Sequence, residues 1–219
     1  MVKFDPQLRL PTSDELPESD GLPVDNELHN LVPNLLKSIL GFIWANRYDW
    51  FFGVNMGIYH TTGLNPRVPI VPDAFLSLGV ERVKGNQLRK SYVVWEENQI
   101  VPIFVLEIVS QTPGEEYDDK MAIYAGLGVL YYVIYNPNHW RRDQQEPFEV
   151  YRLIDGTYQQ QIGEPFWMPE IGLGIGRSMG NHQGVQREWL YWYDERRNRF
   201  LTPEEQLARY QERFGELPE

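Results

Sequence analysis

Leu28, Leu31, Leu35, Leu36, Ile39 and Leu40 recur at the spacing that lines one face of an α-helix, and Asp25 is placed to cap its first turn. Pro33 interrupts the stripe and predicts either a kink or a later start. Beyond a loop at 46–49 the pattern changes. Apolar or alternating stretches at 50–59, 68–78, 91–96 and 102–110 predict strands, with a turn at Gly85-Asn86 between the second and the third. A helix is expected from about 114 to 127, with Gly126 and Gly128 as stop signals. The apolar run 131–135 predicts a central strand that ends at Asn136-Pro137. From there the pattern turns to β: 148–153 and 157–162 form a hairpin about Asp155-Gly156, and 189–194 with 199–201 form a second about Arg197-Asn198. Pro203 opens a last helix carrying Leu207, Tyr210 and Phe214. This order predicts an extended, Pro- and acid-rich arm over 1–24, one α/β domain with a mixed sheet over 25–202, and a C-terminal helix or tail over 203–219.

A hydrophobic fraction of 42%, with 7 Trp and 13 Tyr, excludes a largely disordered chain. The absence of cysteine excludes disulfides and thiolate zinc sites and points to a reducing compartment. No stretch approaches the roughly 18 apolar residues of a membrane span. The N-terminus carries an early acid and no apolar signal core, so the expected location is the cytoplasm, with no membrane partner. The net charge of −11 argues against a tight, nonspecific nucleic-acid binder. Its distribution softens that argument. Residues 1–30 hold seven acids against two bases and residues 200–219 five against two, which leaves −3 for the body.

The candidate chemistry begins with Glu107. It stands inside the apolar run 102–110, where a carboxylate is costly unless it is paired or holds a metal. Asp73 follows Pro72 at the head of the preceding strand, and Lys120 lies in the helix that follows the Glu107 strand. Two carboxylates on neighbouring strands and a lysine on the next helix suit a metal-dependent phosphodiesterase. Asp73, Glu107 and the backbone carbonyl of Ile108 offer hard oxygen ligands for Mg²⁺ or Mn²⁺, and Lys120 would steady the hydroxide and the charge on the phosphate. Taken singly, Asp73 also fits a turn, and Lys120 a solvated i,i+4 pair with Glu116. Tyr124, one turn after Lys120, either orients it or belongs to the core. His29, His60, His139 and His182 show no metal-ligand spacing, and the glycines at 172, 174 and 176 lack the lysine of a phosphate loop. Lys84, Arg89 and Lys90 cluster about the Gly85 turn, where they could touch a phosphate backbone.

Pro72-Asp73, the run Leu106-Glu107-Ile108-Val109-Ser110, Asp119-Lys120 with Tyr124, and the strand at 131–137 together resemble the PD-(D/E)-X-K nuclease superfamily, and more narrowly the Uma-two (Uma2) family of endonucleases. The segments 167–174 and 189–194 add to the likeness, which spans about residue 24 to the C-terminus. The resemblance implies a restriction-endonuclease-like fold and a Mg²⁺-dependent endonuclease acting on DNA, with Asp73, Glu107 and Lys120 as its site. Two residues after Glu107, where the superfamily carries its lysine, this chain has Val109, so the resemblance assigns that role to Lys120. It also offers Glu27, on the first helix, as a further acidic residue. A homodimer, which would bring two sites to two strands, is the expected assembly. The rival expectation is a noncatalytic interaction protein that keeps the fold, in which the same three groups form a buried ion cluster.

Overall fold

The computed structural model describes residues 9–17, 26–63, 65–84, 87–111 and 116–215. The chain divides into two compact units, Met1–Asn30 with Tyr48–Ile162, and Leu31–Arg47 with Gly163–Glu219. Helix α1 (Glu27–Ile43) carries the leucine stripe. It starts at Glu27 and continues through Pro33, so the proline neither delays nor ends it.

The first unit is built on a six-stranded sheet. Its members are β1 (Trp50–Val54), β3 (Ala74–Leu78), β5 (Phe104–Ile108), β6 (Tyr131–Tyr135), β7 (Phe148–Ile154) and β8 (Thr157–Gln161), in the spatial order β1-β3-β5-β6-β7-β8. A short parallel pair, β2 (Ile58–Tyr59) and β4 (Tyr92–Val93), stands apart from it. All pairs in the large sheet are antiparallel except β5–β6, which is parallel. Two consecutive parallel strands need a crossover, and α2 (Asp119–Leu127) supplies it. Strands β5 and β6 are buried along their whole length, which is why they read as continuous apolar runs. Helix α2 joins this core through Tyr124 and Leu127, which cluster with Val105, Tyr132 and Ile134. Gly53 on β1 is required by packing: a Cβ there would run into the Phe75 ring, which in turn packs edge-on against Tyr92 at 5.1 Å.

The second unit holds an antiparallel sheet of β9 (Phe166–Met168), β10 (Leu173–His182) and β11 (Val185–Tyr193), in the order β11-β10-β9. Trp192 on β11 donates its indole N–H to the carbonyl of Leu36 on α1 at 3.0 Å. The last helix, α4 (Pro203–Phe214), starts where the proline pattern predicts. Thr202 caps it: its hydroxyl accepts from the Glu205 N–H at 3.1 Å, and Glu205 reaches back to the Thr202 N–H at 2.9 Å. A short helix, α3 (Trp140–Asp143), lies between β6 and β7.

Several elements differ from the sequence pattern. The stretch 91–96 is a two-residue strand followed by a tight turn, and 68–78 becomes a strand only from Ala74. β11 finds its partner in β10, while 199–201 contributes a single bridge, Tyr193 to Arg199. Strand β10 was unforeseen because Gly174, Gly176 and Gly180 occupy alternate positions on one of its faces, and glycine is a weak strand signal. Its glycines answer to close neighbours: a Cβ at Gly176 would meet Pro165 at 2.9 Å, and one at Gly180 would collide with the Tyr191 hydroxyl. Part of the expected arm is docked on the first unit, with Trp95 donating to the Pro11 carbonyl at 2.9 Å and Tyr59 to that of Pro17 at 2.7 Å. The rest of the arm, the Gly85-Asn86 turn and the first residues of the helix expected from 114 lie outside the described residues. Among the described residues no helix is long and apolar enough to cross a membrane.

Candidate active site

Strand register sets the site. In the β3–β5 ladder Ala74 stands opposite Leu106, so one step further Asp73 stands opposite Glu107. Partners directly opposite point to the same face of a sheet, so both carboxylates leave it on the side of Phe75 and Val105. Glu107 is penultimate in β5, at the carboxyl end of the parallel pair, and α2 begins beyond that end.

Lys120, in the first turn of α2, and Tyr124, one turn later, share a helix face. The Lys120 ammonium donates to Glu107 Oε2 at 2.8 Å, and the Tyr124 hydroxyl donates to Glu107 Oε1 at 2.7 Å. Asp73 uses Oδ2 to accept the N–H of Ile108 at 2.7 Å, while its own carbonyl accepts the Asn55 N–H at 3.1 Å. The Ile108 carbonyl lies 2.8 Å from Nε2 of His29, on the first turn of α1. A carbonyl only accepts, so Nε2 carries the hydrogen. At Ile108, then, the edge of β5 turns both backbone groups towards site side chains.

Burial governs the electrostatics. The Glu107 side chain is 2% exposed, whereas that of Lys120 is 25% exposed and Asp73 is half-buried, so the cluster is not sealed from solvent. Burial pushes the Glu107 carboxyl up to about 7, and the charge of Asp73 adds to the rise. The charge of Lys120 and the hydrogen bonds from Lys120 and Tyr124 oppose it. For Lys120, burial works against the ammonium but is outweighed by Glu107, Asp73 and Glu116, and its value is raised. Tyr124, wholly buried beside Glu107, is raised well above the usual phenol range and remains a donor.

Among the described residues no three His, Asp or Glu side chains gather as a metal cage. The donor set nonetheless fits a hard cation. Mg²⁺ keeps several waters and is commonly held by one or two carboxylates. Asp73 and Glu107 repel each other, and a divalent charge between them would relieve that repulsion.

A family model described as "Putative restriction endonuclease", Uma2, matches residues 16–179. The chain belongs to the Uma2 family. The match takes in Asp73, Glu107, Lys120, Tyr124 and His29, together with the whole six-stranded sheet. The mixed sheet, its crossover helix and the added C-terminal strands are a restriction-endonuclease-like fold. No curated protein and no solved structure matches the chain.

In this Uma2 chain Val109 is apolar core, 3% exposed, and the lysine that meets Glu107 comes from α2. Glu27 is exposed on the first turn of α1, a position that the helix dipole favours for an acid. The residue of that turn which reaches the site is His29, two positions on, and no spacing rule singled it out. The available signal was its place beside Leu28 on the buried stripe, where a polar side chain needs a partner. The cations expected near a phosphate backbone have protein partners. The Arg89 side chain is buried, with both carboxylate oxygens of Glu97 at 2.9 and 3.0 Å and the carbonyls of Arg82 and Glu81 at 3.2 and 2.6 Å. Lys84 lies 3.2 Å from the Glu97 carboxylate and Lys90 3.3 Å from that of Asp14.

Proposed function

We propose that this Uma2 protein is a Mg²⁺- or Mn²⁺-dependent endonuclease that hydrolyses phosphodiester bonds in DNA. The observation that carries the reading is a buried glutamate clamped by a lysine and a tyrosine, facing an aspartate on the neighbouring strand, in a family whose description is "Putative restriction endonuclease". Asp73 and Glu107 would hold the metal, with the Ile108 carbonyl as third ligand. The bound cation would supply an activated water and neutralise the scissile phosphate. Tyr124 fixes the Glu107 carboxylate in one orientation, and the half-open Lys120 ammonium places a positive charge where the phosphate would lie. The exposure of Lys120 and Asp73 favours this reading over a sealed, noncatalytic ion cluster.

The test is a calorimetric titration of Mg²⁺ or Mn²⁺ into wild type and Asp73→Asn, with plasmid cleavage scored on the same samples. Wild type should bind and cleave. The variant should lose at least about ten-fold in metal affinity and most of its cleavage. Cleavage by wild type in excess chelator would sink the metal assignment.

A homodimer accompanies this reading. Helix α4 leaves Leu207, Tyr210 and Phe214 exposed along one stripe, and the Tyr210 and Phe214 rings lie 4.9 Å apart. Sedimentation should show twice the chain mass; a monomer at all concentrations would end the assignment.

A further inference from the structure

Two of the segments that carry the site also form the walls of one pocket. Ile70, three residues before Asp73, lines it with Val68, and Ile123, three residues after Lys120, lines it with Ala122 and Gly126. Three residues of extended chain reach at most about 11 Å, and side chains three apart on a helix start only about 5–6 Å from each other, so the pocket borders the site. Its volume is about 450 Å³, within the roughly 300–1,000 Å³ of small-ligand sites. The wall through Ile70 is held in place: Ile70 and Ile58 exchange backbone hydrogen bonds at 2.8 and 3.1 Å, and the Val68 N–H meets the Asn65 carbonyl at 3.1 Å.

Among the described residues the lining carries no charged side chain, and it is mostly apolar. Val68 is 61% and Ile123 40% exposed, so two large apolar side chains face water here. His60 lines the same pocket, with its Nδ1 2.8 Å from the Thr62 hydroxyl, and burial lowers its value, so the imidazole is neutral. Thr62 and Asn65, both exposed, add further hydrogen-bonding groups. Gly126 keeps the helix wall bare. Helix α2 runs through it to a left-handed cap at Gly128, and a Cβ on Gly126 would meet nothing within 4 Å. Neither backbone nor packing asks for glycine there, although glycine weakens a helix. A side chain at that position would take up the space in front of α2.

We propose that this pocket takes one nucleobase of the DNA, turned out of the stack beside the scissile phosphate; this rests on the nuclease reading above. A nucleotide joins an anion to a flat, neutral ring with apolar faces, and the protein sets Lys120 beside an uncharged, apolar slot. A phosphate held at Lys120 brings its base to Ile123. The ring then lies between the wall of Val68 and Ile70 and the bare helix at Gly126, and its polar edge meets the groups of His60, Thr62 and Asn65. An apolar peptide would find the same walls but no use for the ammonium next to them.

The experiment maps the cut made by wild type in Mn²⁺ and then compares single-turnover cleavage by wild type and Gly126→Leu, whose side chain fills the slot. The substrates are the intact duplex and a set of duplexes that each lack one base beside the cut. Gly126→Leu should cut the intact duplex about ten- to hundred-fold more slowly than wild type, because it forfeits the stacking of one base. That gap should close on the duplex that lacks the turned-out base and persist on the others. A variant as fast as wild type on the intact duplex, or equally slowed on every duplex, overturns the base pocket while the nuclease reading stands. Wild type that cuts nothing overturns both. Thermal melting checks the fold. If Gly126→Leu unfolds, Val68→Glu, at an exposed position, carries the same test by placing a charge in the slot.

Discussion

Glu107→Gln should abolish metal-dependent cleavage and at the same time make the metal-free protein more stable in alkaline solution. The substitution keeps the shape of the side chain and removes one anionic ligand, so a loss of at least about 10³-fold in cleavage is expected if the metal carries the chemistry. The stability effect follows from burial. The folded carboxyl is raised from 4.5 to about 7, so the folded state binds a proton that the unfolded chain releases. The stability conferred by protonated Glu107 is full below about 4.5 and is lost as pH climbs to about 7. Glutamine mimics the neutral form and escapes that loss. In chelator at pH 8 the variant should therefore unfold with a free energy higher by about 3 kcal/mol, and at pH 4.5 the two proteins should converge. Denaturant titration at both pH values measures the difference. Added Mg²⁺ should stabilise wild type alone. A variant less stable than wild type at pH 8 without metal would show that the bond to Lys120 outweighs desolvation.

Lys120→Met has the second-largest expected effect, and its signature differs. The methionine stem fills much the same space, but Glu107 loses its cation, and burial and Asp73 then act on it less opposed. Cleavage should fall by about 10²–10³-fold. The pH at which metal binds should rise, because Glu107 must lose its proton before it can ligate. An unchanged pH profile for metal binding would separate Lys120 from Glu107 and limit it to a contact with phosphate.

Some of this was legible in the chain. Glu107 stands out because a carboxylate inside an apolar strand has few structural explanations, and Lys120 and Tyr124 share a face because they are four residues apart on a helix. What escaped depends on register. Nothing in the local pattern tells that the Ile108 N–H turns to Asp73, or that His29 reaches the Ile108 carbonyl from a helix 79 residues earlier. Those contacts join distant segments, and periodicity speaks only for neighbours. Arg89 reads as a cation open to a phosphate backbone because nothing in the local pattern shows that it pairs with Glu97, eight residues on. Strand β10 escaped for the opposite reason, since its glycines are a response to large neighbours on other segments.

Those glycines act as an alignment key for the second unit. Long ribbons can slip, and a shift of two residues keeps every side chain on its own face, so hydrophobic pattern alone does not forbid it. Here it is forbidden by volume: the Tyr191 hydroxyl needs the bare backbone at Gly180, and two residues away on the same face stand Ser178 and His182. A slip of two in either direction therefore leaves no room for the ring. The residues with least to offer as strand formers thereby decide which strand alignment the ribbon can adopt.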